Sequence, residues 1–352
     1  MSAAAAPALS PPALSVVIPC YNEEACLAEL HRRVSAAAQG VAGEDYEIVL
    51  VNDGSRDGSW AMMASLADAD PRLVAINLSR NHGHQLALTA GLDLCRGERI
   101  LIIDADLQDP PELLPDMLAE MDRQTADVVY AVRRARAGET AFKLATAKLF
   151  YRGLSKLAEI EIPRDTGDFR LMSRRALDAL LSLPEQARFI RGMVAWVGFR
   201  QVPIVYDRAE RHAGQTKYPF SKMLRFALDA VTGFSTAPLR FASHFGLWLV
   251  AASFLILIYI AVGFFSGSAI PGWTSLMLLV VMLGAVQMFV LGLIGEYIGR
   301  LYIEAKRRPL YIVSDIAGRA AGAHPSLGHV AHAAEAMATS DSPGGNGSRP
   351  IA

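Results

Sequence analysis

Asp104 and Asp106 stand two residues apart at the end of an apolar run, Arg99–Ile103, and Gln108 continues the alternation. In extended chain these three side chains point the same way. Two carboxylates held together repel unless a cation joins them, and hard oxygen donors of this kind suit Mg²⁺ or Mn²⁺. An ion bound there keeps positions open for phosphate oxygens, so the set is fitted to hold a nucleoside diphosphate and offset leaving-group charge. A plain acidic turn has the same local sequence, and position in the chain separates the two. Asp53 closes another apolar run, and Gly54 and Gly58 beside it permit close backbone approach, so its carboxylate is a candidate acceptor for a ribose or base. Asp57 and Ser59 fit a simple Asx turn or helix cap better.

The elements that must position these groups are legible from the apolar pattern. Candidate strands are Leu14–Ile18, Glu47–Val51, Leu73–Leu78, Arg99–Ile103 and Asp127–Val132, with helical stretches near Glu23–Ala38, Ser59–Ala67, Gln85–Cys95 and Pro111–Met121 between them. Strand and helix alternating at this spacing predict an α/β fold, a mostly parallel sheet covered on both faces. Ligands of such sheets sit at the carboxyl ends of the strands. Each strand end here is followed by a polar cluster, the first being Pro19-Cys20-Tyr21-Asn22-Glu23. No GxGxxG follows the first strand and no GxxxxGK[ST] occurs, which disfavours dinucleotide oxidoreductases and P-loop NTPases.

The chain of 352 residues is 52% hydrophobic and 20% charged, with mean hydropathy +0.25, an apolar excess for a water-soluble protein. The excess is local. Between Phe245 and Gly299 the single charged residue is Glu296. Phe245–Phe265 and Trp273–Ile294 span about 31 and 33 Å as helices, enough for a hydrocarbon core of about 30 Å. The linker Ser266–Gly272 turns the chain, so the expectation is a two-helix transmembrane hairpin over 245–299. Arg225 and Arg240 precede it, Arg300, Lys306, Arg307 and Arg308 follow it, and the linker has no Lys or Arg, which predicts both termini in the cytoplasm. Upstream, Phe220, Met223, Leu224, Ala227, Val231 and Phe234 share one helical face, as in an interfacial amphipathic helix over 218–240.

Net charge is −1, so global electrostatics do not point to nucleic acid. Three cysteines without a CxxC pair suit a reducing cytosol. MSAAAAPALSPP lacks a basic region and is no signal peptide by pattern; residues 1–12 are read as a flexible N-terminus. A catalytic domain is expected over 13–217, a basic juxtamembrane segment over 300–313 and a disordered tail over 314–352.

SVVIPCYNEE, VNDGSRDGS, NHGHQLALTAGL and DADLQDPPE, in that order, closely resemble family 2 of the inverting glycosyltransferases. TGDFRLMSRRAL from Thr166, RHAGQTKYP from Arg211 and IGEYIGRLYIEAKRRPLYIV from Ile294 are similar to the polyprenyl-phosphate members, among them dolichyl-phosphate mannose synthases and bacterial undecaprenyl-phosphate sugar transferases. The resemblance runs from about Leu14 to Val313 and implies a Rossmann-like nucleotide-sugar-binding fold of the glycosyltransferase A type. It implies a donor site at Pro19, Tyr21, Asn22, Glu23, Asp53, Asp104, Ala105, Arg211 and Lys217, with Mg²⁺ or Mn²⁺ on Asp104, Asp106 and Gln108. Asp168 and Asp106 are the catalytic candidates. Arg133 or Arg134 and Arg208 are candidates for the acceptor phosphate, and Arg208, Arg211 and Lys217 would belong to a loop closing over both phosphates. Thr216 keeps a hydroxyl where Ser is more frequent.

The implied activity is transfer of a hexose, UDP-glucose being favoured as donor, to undecaprenyl or a similar polyprenyl phosphate at the cytoplasmic face of the inner membrane, by a homo-oligomer. Two alternatives stay open in the sequence. A processive polysaccharide synthase uses the same fold, but RFIRGMVAW from Arg188 only loosely echoes its [QR]xxRW motif. A catalytically silent membrane scaffold would not need Asp104, Asp106 and Gln108.

Overall fold

The computed structural model describes residues 10–134, 166–207 and 272–318, with isolated helical positions at 242, 245, 248, 252, 254, 255 and 258. Arg208, Arg211, Lys217, the expected interfacial helix over 218–240, most of the first expected span and the tail beyond 318 lie outside the described residues.

In chain order the elements are β1 (Leu14–Cys20), α1 (Glu24–Ala42), β2 (Tyr46–Asn52), α2 (Ser59–Ala69), β3 (Leu73–Leu78), α3 (His84–Leu94), β4 (Arg99–Ile102) and, after a 3₁₀ turn at Pro111–Leu113, α4 (Leu114–Gln124) and β5 (Val128–Arg133). Then come β6 (Thr166–Ser173), α5 (Arg174–Leu181), α6 (Ile190–Val197), β7 (Gln201–Tyr206), α7 (Trp273–Lys306) and β8 (Val313–Ala317). One eight-stranded sheet has the order β7-β5-β6-β4-β1-β2-β3-β8. The α/β class and the mostly parallel sheet expected from the sequence are both present.

Every residue of β1 and β2 is buried, because helices cover both faces of the sheet. Val16, Ile18, Ile48 and Leu50 pack on Leu27, Leu30 and Val34 of α1 and Met117 of α4. Their neighbours Val17, Val49 and Val51 point the other way, onto Ala87 and Leu88 of α3 and Leu177 of α5. Leu27, Leu30, Val34 and Ala38 recur at helical spacing, which gives α1 one buried face. Each such aliphatic side chain contributes about 1.5–3 kcal/mol of burial.

β6 breaks the parallel pattern. It runs antiparallel to both β4 and β5, and its register pairs Ile102 with Arg170. Asp168 lies two residues before Arg170 on β6, and His84 Nε2 stands 3.1 Å from it and 3.6 Å from Asp104. A segment far along the chain is thereby delivered to the carboxyl end of β4.

α7 is one helix of 34 residues, about 51 Å long, so it does not stop at Ile294 but projects beyond any hydrocarbon core. Among the described residues, Met282–Lys306 is the segment long and apolar enough to cross a membrane. Glu296 and Arg300, one turn apart on α7, pair at 3.1 Å. Past Arg307 the chain does not enter a disordered tail at Ser314. It forms β8, which pairs antiparallel with β3 at the sheet edge.

Candidate active site

A cavity of about 480 Å³ opens at the carboxyl ends of β1 and β4, walled by Pro19, Tyr21, Asn22, Glu23, Ala25, Cys26, His84, Asp104, Ala105 and Asp106. A smaller one of about 170 Å³ shares Pro19, Tyr21 and His84 and adds Cys20, Asp53, Asn81, Gly83 and Ala87. The structure thus gathers Pro19, Tyr21, Asn22, Glu23, Asp53, Asp104, Ala105 and Asp106 at one end of the sheet. The loop after β1 is fixed to the loop after β2: the Asn22 amide donates to Ser55 Oγ (2.9 Å), the Arg56 amide to Asn22 Oδ1 (2.8 Å) and the Glu23 amide to Ser59 Oγ (2.9 Å). Asp57 accepts the Ser59 amide, the local turn role its position indicated.

Asp53 is buried, and its carboxylate accepts the backbone amides of His82 (2.7 Å) and Gly83 (3.0 Å). It therefore shapes the entry to α3 as well as walling the smaller cavity. Burial pushes its carboxyl up against the pull of those amides.

β4 ends at Ile102, so Asp104 and Asp106 lie in a turn rather than in extended chain, and Leu107 takes φ 59°. Both carboxylates still reach the cavity. Gln108 does not wall it: it is buried, and its backbone amide donates to Asp106 Oδ1 at 3.1 Å. The alternation that made Gln108 a ligand candidate stops where the strand stops.

Asp104 Oδ1 is buried without a hydrogen-bond partner, with His84 Nε2 3.6 Å away. Burial pushes its pKa up to about 6, opposed by His84 and helped by the charges of Asp168, Asp109 and Asp106. An orphaned oxygen among like charges is the electrostatics a divalent cation relieves. Among the described residues no group of three or more His, Cys, Asp or Glu could hold a metal ion. Mg²⁺, however, is commonly held by one or two carboxylates and completed by substrate phosphates. Asp104 and Asp106 fit that pattern.

Asp168 is deeply enclosed, at 2% exposure. Its Oδ1 accepts Arg191 Nε at 2.8 Å and stands 3.6 Å from Arg170, while its Oδ2 accepts Gln85 Nε2 at 3.1 Å and lies 3.1 Å from His84 Nε2. Burial alone would raise its pKa, but the His84 bond and the Arg191 charge hold the carboxyl well below the usual range. Burial likewise opposes a charge on His84, but the bond to Asp168 and the Asp104 charge raise its pKa. His84, Gln85 and Arg191 received no role from the sequence. Their signals were present, in the NHGHQ segment and in RFIR, but nothing local says that α3 and α6 both point a first turn at β6.

The two candidate arginines part company. Arg134 is exposed and pairs with exposed Asp207 at 2.9 Å. Arg133 donates to Tyr206 Oη at 3.4 Å, and Tyr206 in turn hydrogen-bonds Asp109. A Cβ at Gly167 would lie 3.0 Å from the Arg133 guanidinium, so that glycine makes the space in which Arg133 sits.

Residues 15–181 match glycosyl transferase family 2, and residues 237–301 match the GtrB C-terminal hairpin. An uncharacterized glycosyltransferase of Bacillus subtilis (strain 168) is 48% identical over 300 residues, 85% of this chain and 92% of that one. The chain belongs to glycosyl transferase family 2. A second relative of this glycosyltransferase, from Synechocystis, is 46% identical over 87% of this chain and 96% of its own length. The prophage bactoprenol glucosyl transferase homolog of Escherichia coli (strain K12) is 38% identical over 86% of this chain and 99% of its own.

Proposed function

We propose that this glycosyltransferase moves a hexose from a nucleotide sugar, UDP-glucose first, to the phosphate of a polyprenyl phosphate, undecaprenyl phosphate first, with inversion at C1. The observation that carries the proposal is the cavity walled by Asp104, Asp106 and His84, with His84 Nε2 standing between Asp104 (3.6 Å) and the buried Asp168 (3.1 Å), in a chain that also carries the long apolar helix α7. The bactoprenol glucosyl transferase relatives, aligned over nearly their whole length, support the acceptor class.

The nucleoside would occupy the smaller cavity beside Asp53 and the diphosphate the larger one. Asp104 and Asp106 would hold Mg²⁺ or Mn²⁺, which when bound supplies positive charge against the diphosphate leaving group. An acceptor phosphate monoester, with a second pKa near 6, is already anionic at pH 7. It needs neutralisation and alignment more than deprotonation. Arg133 would supply the first from the end of β5. Asp168, clamped by Arg191 and held far below the usual carboxylate range, is a weak base and would act by orienting its neighbours. Arg208, Arg211 and Lys217 would close over the phosphates.

In the same reading, Phe245–Phe265 and α7 form a hairpin in the inner membrane with both termini cytoplasmic, and two or more copies assemble. Gly292, Gly295 and Gly299 face open space on α7, which leaves room for a helix of another copy. Membranes supplied with labelled UDP- and GDP-sugars test the donor: label passing into extractable lipid from UDP-glucose supports the proposal, and label passing into polymer or into nothing from any donor refutes it.

A further inference from the structure

The chain beyond α7 returns to the catalytic domain and binds it along one line. The Ile312 carbonyl accepts the Ser79 amide at 2.9 Å, and Ser314 Oγ donates to the Asn77 carbonyl at 3.1 Å. Asn77 Nδ2 donates to Asp315 Oδ2 at 3.2 Å. The Tyr311 hydroxyl donates to Asp93 Oδ2 of α3 at 2.9 Å. These bonds land on the end of β3, on the loop Ser79–Gly83 that follows it and on α3.

That loop is a wall of the smaller cavity. Asn81 and Gly83 line it, and the amides of His82 and Gly83 hold Asp53 on its far side. Gly54, at φ +63°, lets the loop sit directly on the Asp53 turn: a Cβ there would come within 2.5 Å of Arg80 C and Asn81 N. Tyr311, Val313 and Ile316 are partly buried against the core, while Ser314 and Asp315 are exposed.

At its other end the segment is continuous with the apolar helix. Glu304, in the last turn of α7, accepts the Gln186 amide at 2.9 Å in the loop leading to α6 and Arg191. One stretch of chain therefore joins the long apolar helix to the nucleoside wall and to the loop that precedes α6.

We infer that residues 310–317 are a strap that positions the Ser79–Gly83 wall for the nucleoside diphosphate, with Tyr311 as a positioning residue, so that strap docking and nucleotide binding are coupled. This rests on the reading that the smaller cavity receives the nucleoside. A five-residue strand at the sheet edge opens locally at less than the global cost, so its docking equilibrium is easily biased. Coupling of this kind is reciprocal: whatever strap docking does for nucleotide affinity, nucleotide must do for docking.

The test uses the full chain in nanodiscs with UDP as probe. Ile316→Pro breaks the ladder opposite Ile76, and Tyr311→Phe removes only the Asp93 bond. The expected result is a UDP Kd raised about fivefold or more by Ile316→Pro and in the same direction by Tyr311→Phe, the range of ordinary coupling energies. With saturating donor, kcat stays within about twofold, the signature of lost ground-state binding rather than lost chemistry. In the wild type, saturating UDP slows hydrogen exchange at the amides of residues 313–317. Unchanged UDP affinity in Tyr311→Phe together with unchanged wild-type exchange overturns the strap. A wild type that binds no UDP, while residues 313–317 are protected without ligand, overturns the nucleotide reading beneath it instead.

Discussion

Arg191 reaches from the first turn of α6 to Asp168 on β6, its Nε donating to Oδ1 at 2.8 Å, and thereby fixes a deeply buried acid of the site. The pair joins two segments whose separation in sequence gives no hint of contact. It also decides what Asp168 is able to do. A carboxylate held so far below its usual range by a hydrogen bond and a guanidinium takes up a proton poorly at pH 7.

Positioning predicts strong coupling between the two residues. In a double-mutant cycle of Asp168→Asn and Arg191→Gln, kcat/KM should reveal an interaction of about 1–3 kcal/mol, within the range for contacting residues of one network. The Asp168→Asn enzyme should retain measurable turnover. Additive effects of the two changes, with complete loss in Asp168→Asn, would instead assign Asp168 as the base.

The carboxylates of the β4 turn should divide from Gln108. Asp104→Asn and Asp106→Asn each remove a charged oxygen donor from the cavity, and a loss on the order of 10²–10³ in kcat is expected, the magnitude of a lost electrostatic stabiliser. Chelation should abolish activity and added Mn²⁺ or Mg²⁺ restore it in the wild type. Gln108→Ala, at a buried residue that does not wall the cavity, should act mainly on thermal stability. Steady-state kinetics with metal titration separate the three.

Arg133 and Arg134 should be unequal. Arg133→Ala is expected to lower kcat/KM for the lipid acceptor about tenfold to a hundredfold, the value of one charge-assisted hydrogen bond. Arg134→Ala removes an exposed pair with Asp207 and should change it little. Gly167→Ala, whose Cβ would press on the Arg133 guanidinium, should fall on the Arg133 side of this divide. Kinetics at varied acceptor and fixed donor provide the comparison.

Asp127 offers a pH test away from the site. The Arg175 hydrogen bond, against the cost of burial and with help from Ser173, holds its carboxyl below the usual range. A pKa lowered in the folded state gives stability that is present above the unfolded value of about 3.9 and lost as pH falls through the folded value. Asp127→Asn should thus cost about 1–3 kcal/mol at pH 7, with the deficit closing below pH 4. Denaturation in urea across pH 3–7 measures it.

What the sequence disclosed follows from how each element is held. β1 to β5 are apolar runs buried on both faces, and these are readable directly. β6 is not, because its buried interior carries Asp168 and Arg170, which a pattern of apolar residues rejects and which compensate one another only in three dimensions. β8 is short, polar and at an edge, so nothing local distinguishes Val313–Ala317 from a tail. Asp104 and Asp106 were found by type and position, but Gln108 was placed by extending a strand that ends at Ile102. His84 and Arg191 depend on helix starts meeting a strand far along the chain, and spacing carries no information about that.

The central claim is transfer from a nucleotide sugar to a lipid phosphate, and reconstitution tests it most directly. Purified protein in nanodiscs with Mn²⁺ would be given UDP-[¹⁴C]glucose with undecaprenyl phosphate, or with undecaprenol lacking the phosphate. Label in a mild-acid-labile, β-linked lipid monosaccharide that forms only with the phosphate is the expected result. Release of glucose to water alone, label in a growing polymer, or equal labelling of the unphosphorylated alcohol would contradict it.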